Sequence, residues 1–154
     1  MQWTSEGSGK LKAFVINGPN LNLLGSRELS VYGNLTLEEV NAIVAREAEE
    51  LGFELDFFQT GREGEIIELL HSGIEAAIDG VLLNPAAYGH TSRAIADAVR
   101  AVPFPVIEVH LSNIHAREEW RRTSVTAEAA RGIVAGFGPH SYVAALVALK
   151  GVLE

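Results

Sequence analysis

Five short apolar runs punctuate this chain, Leu11–Ile16, Phe53–Phe58, Gly80–Asn84, Val106–His110 and Gly132–Phe137. Several are continuous rather than alternating, and turn residues bound them. A strand reads that way when it lies in a parallel sheet covered on both faces. Helix-forming stretches fall between and after the runs, so the chain alternates strand and helix, the signature of an α/β layer architecture.

The helices have legible boundaries. Thr36-Leu37-Glu38-Glu39 reads as a capping box, with Leu35 and Val40 spaced as a hydrophobic staple. The apolar stripe that follows is Leu37, Val40, Val44, Ala48 and Leu51, and Gly52 stops it. A second helix runs from about Gly64 through Ile67, Leu70 and Ile74; a third begins near Thr91 or Ser92 and must end before Pro103 and Pro105. The last starts at Gly138-Pro139 and buries Tyr142, Leu146, Leu149 and Leu153. Ser112–Arg131 is polar, with a short helical stretch around Ala116–Arg121. These units predict a doubly wound, flavodoxin-like three-layer α/β/α fold, with a five-stranded parallel sheet in strand order 2-1-3-4-5. Ligands in such sheets bind beyond the C-terminal strand ends, where the strand order reverses. Three loops should therefore converge there: Asn17–Gly33, Asn84–Thr91 and His110–Arg121.

The 154 residues fit one domain, expected over 11–154, long enough to bury roughly 70% of its unfolded surface. The first ten residues, MQWTSEGSGK, lack the apolar core of a signal peptide and are expected to form a disordered N-terminal extension. A net charge of −8 argues against a nucleic-acid or anionic-membrane partner. No window approaches the ~18 apolar residues of a membrane span. The chain has no cysteine, hence no disulfide and no thiolate nucleophile, and a cytoplasmic setting is expected.

The loop Asn17–Gly33 carries no helix signal before Thr36, and a loop of that length in a compact domain is either disordered or functional. Its leucines make it too apolar for a linker. It reads as an ordered shelf followed by a mobile lid that carries Arg27 and Tyr32 to a site. Asn20 and Asn22 are turn-makers, since Asn tolerates left-handed backbone, or polar groups offered to a ligand. Taken singly, Arg27 and Tyr32 would be an exposed charge and a half-buried ring.

Glu108 and His110 sit two apart at the end of the fourth strand, so their side chains share a face. A carboxylate beside an imidazole fixes its tautomer and favours its charged form, as a general acid needs; the alternative is a structural pair. The amides of Ser112 and Asn113 offer an anion nest. Arg117, Arg121 and Arg122 follow, at least one of them expected to be solvated or paired with Glu118 or Glu119. Asn84 and His90, before a helix start at Thr91-Ser92, suit an anionic or hydroxyl-rich ligand, unless His90 and Thr91 merely cap that helix. Glu108, His110, His90 and His115 show no HExxH-like spacing, so no metal is expected. His71 and His140 carry no motif and read as structural.

In this order, NGPNLNLLGSRE…YG at 17–33, TL-x-E at 36–39, EGE at 63–65, NPAAYGHTS at 84–92 and IEVHLSNIHAREEWRR at 107–122 resemble type II 3-dehydroquinate dehydratase (type II dehydroquinase). GFG…Y-x-x-AL near the C-terminus matches more loosely. The resemblance implies loss of water from 3-dehydroquinate to give 3-dehydroshikimate, by anti elimination through an enolate, with no metal or cofactor. On this chain Tyr32 matches the base that takes the C2 proton. A phenol ordinarily ionises near pH 10, so the base needs a cation beside it, and Arg27 is the matching candidate. Asn20 matches the residue that holds a water against the enolate oxygen, His110 the acid that protonates the leaving C1 hydroxyl, and Glu108 the residue that orients it. Leu111 and Ser112 match the carboxylate site, and Asn84, His90 and Arg121 the hydroxyl- and carbonyl-binding positions. Asp97 matches an acidic residue that reaches a neighbouring subunit's site. The family's assembly is a homododecamer, a tetramer of trimers.

Departures from the family pattern are few. Leu29-Ser30 stands where Pro is common after the lid Arg-Glu, leaving a more flexible lid. Thr60-Gly61-Arg62 precedes Glu63 where an Asn-His pair is common, and Ala86 and Gly89 stand where Gly and Thr are usual. Ala96 precedes Asp97 where Arg is common, while Thr123 and Val125 replace His and Tyr. Two rival readings are a flavodoxin-like binding module and a relative with altered substrate. A flavin binder should run from the first strand directly into a phosphate loop and helix, which this chain does not. Intact Tyr32 and Arg27 speak against the second rival.

Overall fold

A computed structural model describes residues 9–154. The five strands are β1 (Leu11–Asn17), β2 (Phe53–Gln59), β3 (Gly80–Asn84), β4 (Val106–His110) and β5 (Gly132–Ala135). All pair in parallel, in the order β2-β1-β3-β4-β5, as the sequence predicts. The helices are α1 (Leu29–Tyr32), α2 (Leu37–Leu51), α3 (Glu63–Glu75), α4 (Arg93–Ala101) and α5 (His140–Leu153).

Strand periodicity splits the apolar side chains of the sheet into two cores. Ala13, Val15, Leu82, Ile107 and Val109 face Val40, Val44 and Ala48 of α2 and Leu146 and Leu149 of α5. Phe14, Ile16, Val81, Leu83 and Val106 face Ile66 and Leu70 of α3 and Ile95 and Val99 of α4. The central strands are mostly apolar because both faces are covered, with polar residues gathered at their C-terminal ends. Each fully buried Val, Leu or Ile there contributes roughly 1.5–3 kcal/mol of transfer free energy.

The helix starts follow the sequence closely. Thr36 caps α2 by accepting from the Glu39 amide at 3.2 Å. The box is only half closed, because the Glu39 carboxylate takes the Thr36 hydroxyl rather than reaching back to the backbone. Ser92, not Thr91, caps α4, accepting from the Ile95 amide at 3.0 Å.

Four expectations are corrected. The stretch before Thr36 is not devoid of helix, since Leu29–Tyr32 winds one turn. The polar segment after β4 holds two separate 3₁₀ turns, Ile114–Ala116 and Glu119–Arg122, rather than one helical stretch. β5 ends at Ala135 because Gly136, at φ 100°, turns the chain and leaves Phe137 exposed. Leu153 is only partly buried, at the C-terminal end of α5. The expected N-terminal extension falls mostly outside the described residues; Lys10, which is described, pairs with Glu49 at 2.7 Å. No helix among the described residues is long and apolar enough to cross a membrane.

Sheet order and one glycine bring the loops together. Asn17 of β1 lies beside Asn84 of β3 in the ladder, and the Gly18 amide donates to the Asn84 carbonyl at 2.8 Å. A Cβ at Gly18 would stand 2.6 Å from the Pro85 carbonyl oxygen, so only glycine lets the two backbones approach this closely.

Candidate active site

Beyond the C-terminal ends of β1, β3 and β4 lies a small cavity of about 50 Å³, at the place where ligands bind in doubly wound sheets. Its wall includes Asn20, Arg27, Tyr32, Asn84, His90, His110, Leu111, Ser112, Arg117 and Arg121. The three loops thus converge where the topology requires. Of the residues singled out in the sequence, Glu108 lies behind this wall and Asp97 lies away from it. Asp97 sits exposed on α4, in a groove shared with Arg93, Arg100 and Glu128. His71 and His140 are exposed and outside the cavity.

Asn20 adopts left-handed backbone, φ 69° and ψ −7°, and its side chain caps nothing. The turn uses asparagine's tolerance of that conformation, and the side chain lies on the cavity wall.

The lid folds over the site through a contact that sequence spacing did not reveal. Arg117, its side chain only 9% exposed, donates from Nη1 to the Tyr32 phenolic oxygen at 2.5 Å. It also reaches the Ser112 hydroxyl at 3.3 Å. Arg27, the cation expected from sequence, lies instead over the face of the Tyr32 ring at 4.7 Å. Its guanidinium bonds Glu28 at 2.7 Å, and Arg117 stands 3.6 Å from the same carboxylate. These two arginines hold the Glu28 carboxyl below its ordinary range, the hydrogen bond from Arg27 being the larger cause. Glu28 itself is left-handed at φ 36°, ψ 55°. A proline at position 29 would disfavour that conformation, which gives Leu29 a physical reason.

His110 and Glu108 form the expected pair, 5% and 0% exposed, with His110 Nε2 2.9 Å from Glu108 Oε2. A carboxylate can only accept, so Nε2 carries a proton and Nδ1 is the nitrogen left for other chemistry. Two residues that sequence reasoning passed over complete the surroundings of the carboxylate. Ser124 donates to Oε2 at 2.6 Å and Thr126 donates to Oε1. Their spacing of two, like that of Glu108 and His110, is the only sequence signal for the match.

His90 does not cap α4. Its Nδ1 pairs with the Thr123 carbonyl at 2.8 Å, so Nδ1 carries the proton. Burial pushes the imidazole below its ordinary range and the carbonyl contact opposes this only in part. In the neutral ring Nε2 is therefore an acceptor. The ring stacks against His110 at 6.2 Å and meets Trp120 edge-on at 5.2 Å.

Arg121 lines the cavity while pairing with Glu118 at 2.5 Å and lying over the Trp120 ring at 4.1 Å. It is the arginine of the cluster that has the expected acidic partner. Asn84, 2% exposed, spends Nδ2 on the Tyr142 phenolic oxygen at 2.9 Å and Oδ1 on the Ala86 amide at 3.1 Å. The amides of Leu111 and Ser112 make no hydrogen bond among the described residues.

The arrangement offers a phenol held by a cation, a carboxylate-oriented imidazole and two unused backbone donors around one cavity. That inventory suits proton abstraction paired with proton donation.

Comparison with known proteins agrees. The family model described as dehydroquinase class II matches residues 11–150. The 3-dehydroquinate dehydratase of Caldicellulosiruptor bescii is 54% identical over 143 residues, 93% of this chain and 99% of that protein. The one from Rhizobium meliloti is 53% identical over 141 residues, covering 92% and 95% of the two chains. Among solved structures, the type II dehydroquinase of Butyrivibrio crossotus superposes with a TM-score of 0.89 at 39% identity, covering 92% of this chain and 98% of its own. That of Propionibacterium acnes gives 0.87 at 38%, covering 92% and 99%.

Proposed function

This chain belongs to the class II dehydroquinase family, and from that premise we propose how its residues carry out the reaction. It is a hydro-lyase that removes water from 3-dehydroquinate to leave 3-dehydroshikimate, a step of the shikimate pathway. The observation that carries the mechanism is the Arg117–Tyr32 contact at 2.5 Å on the cavity that His110 also lines.

Tyr32, as phenolate, takes the proton from C2. Arg117 supplies the charge that favours the phenolate, since an opposite charge at contact distance stabilises the ionised form, and Arg27 lies against the ring. The electrons left on C2 pass to the neighbouring carbonyl as an enolate, and a water held by Asn20 stabilises that oxygen. The enolate collapses to form the C1–C2 double bond as the C1 hydroxyl departs. His110 hands that hydroxyl a proton, so it leaves as water. Glu108 holds the Nε2–H, so the proton given up is the one that the charged ring carries on Nδ1.

The substrate carboxylate sits on the amides of Leu111 and Ser112 and on the Ser112 hydroxyl, which is free to donate because Arg117 uses only its oxygen. Asn84, the unprotonated Nε2 of His90, and Arg121 bind the ring hydroxyls and carbonyl. We further infer that residues 11–154 act as one catalytic unit in the cytoplasm. It assembles as trimers, four to a dodecamer, with Asp97 reaching a neighbour's cavity; its exposed place on α4, away from its own cavity, supports this.

The test is to mix the protein with 3-dehydroquinate and follow ultraviolet absorbance, because the product is a conjugated enone and the substrate is not. A rise that persists in EDTA and disappears in Tyr32→Phe supports the mechanism. No rise from folded wild type overturns it.

A further inference from the structure

We propose that Ser124 and Thr126 are positioning residues for the acid, and that Gly89 makes the space they need. The inference rests on His110 being that acid. Glu108 is fully buried, and its carboxylate meets three donors: His110 and Ser124 on Oε2, Thr126 on Oε1. The last torsion of a glutamate is broad and nearly two-fold, so one partner on one oxygen does not fix the carboxylate plane. A second hydroxyl on the far oxygen does. Ser124 is itself held, because its oxygen accepts from the Ala127 amide at 3.0 Å.

The segment that carries these hydroxyls is fastened to the loop after β3. The Gly89 carbonyl accepts from the Val125 amide at 2.8 Å and the Thr126 amide at 3.4 Å. One residue on, His90 takes the Thr123 carbonyl at 2.8 Å. The fit at Gly89 leaves no slack: a Cβ there would lie 2.9 Å from Pro85 Cγ and 3.2 Å from Thr126 Oγ1. A side chain at 89 would force Pro85 to shift and crowd Thr126 Oγ1 by a few tenths of an ångström at its place on Glu108. Gly89 and Thr126 therefore act as a pair, one yielding the space into which the other puts its donor.

The test uses Thr126→Val, which keeps the shape and removes the hydroxyl, with Thr126→Ser to restore it and Gly89→Ala to displace it. Melting curves establish that each variant folds. Thr126→Val should lower kcat about tenfold, a fraction of what a general acid supplies, with KM within about twofold. The alkaline limb of its kcat profile should move to lower pH, because a loosened carboxylate stabilises the imidazolium less. Thr126→Ser should recover most of the rate, and Gly89→Ala should resemble Thr126→Val. The Nε2 proton resonance of His110, read by NMR, should move in Thr126→Val even if the protein turns nothing over, which separates this inference from the functional reading. An unmoved resonance, or a folded Thr126→Val with wild-type kcat and pH profile, overturns it.

Discussion

Asn84 Nδ2 donates to the phenolic oxygen of Tyr142 at 2.9 Å, joining the cavity wall to the last helix across the core. Tyr142 passes the chain on, donating to Asn17 Oδ1 at 2.5 Å. Tyr142 is 1% exposed, and burial pushes its phenol well above the ordinary range, so it remains a neutral donor. Asn17 Nδ2 is the one buried side-chain polar atom without a partner among the described residues. Tyr142→Phe strands two further amide groups, each at about 1–3 kcal/mol. We expect a loss of stability of about 2–4 kcal/mol in urea titrations, with KM rising as Asn84 loses its anchor. An unchanged midpoint would refute the account.

Tyr32→Phe should lower kcat by at least about a hundredfold while leaving substrate binding nearly intact, the ordinary consequence of deleting a general base. Arg117→Ala should cost more in kcat than Arg27→Ala. Arg117 donates to the phenolic oxygen, whereas Arg27 lies on the ring face and spends its guanidinium on Glu28. Steady-state kinetics on the three variants decides this, and the reverse order for the arginines would be fatal to it.

His90 gives a pH dependence of defined sign. Burial lowers its folded-state value, so between that value and the ordinary imidazole range near 6.5 the unfolded chain binds more protons than the folded one. Its contribution to stability is thus present above the ordinary range and lost as pH falls through the folded value. Melting temperatures compared between pH 7.5 and 5 should fall less for His90→Asn than for wild type. Parallel falls would show that burial of this ring is not the source.

Ala86 sits at φ 52°, where a Cβ is unwelcome. That conformation costs a non-glycine residue roughly 1–2 kcal/mol, and glycine gives back roughly 0.5–1 kcal/mol through its greater unfolded-state entropy. Ala86→Gly should therefore stabilise the protein slightly, by about 0.5 kcal/mol. The Asn84–Ala86 amide bond at 3.1 Å should survive, because it needs only backbone at 86. A lower melting temperature would contradict this.

The strand order and the meeting of three loops were legible because they follow from apolar runs, caps and crossover handedness. The pairing of Glu108 with His110 was legible too, since strand geometry places residues two apart on one face. Arg117 was not. Three arginines stand within six positions, and only the fold of the 3₁₀ turns after β4 decides which one meets Tyr32. Ser124 and Thr126 were hidden for a related reason, as they come back to Glu108 from a polar segment without periodicity. The helical turn at Leu29–Tyr32 is too short for any periodic signal.

Tyr32 rides on the lid, while Arg117 belongs to the body of the protein and reaches the lid at Tyr32 and Glu28. The fastening and the reagent are thus the same group. On the proposed mechanism, the charge that favours the phenolate comes from outside the segment that carries the phenol. The base is thus assembled from two distant parts of the chain and exists as such only where they meet.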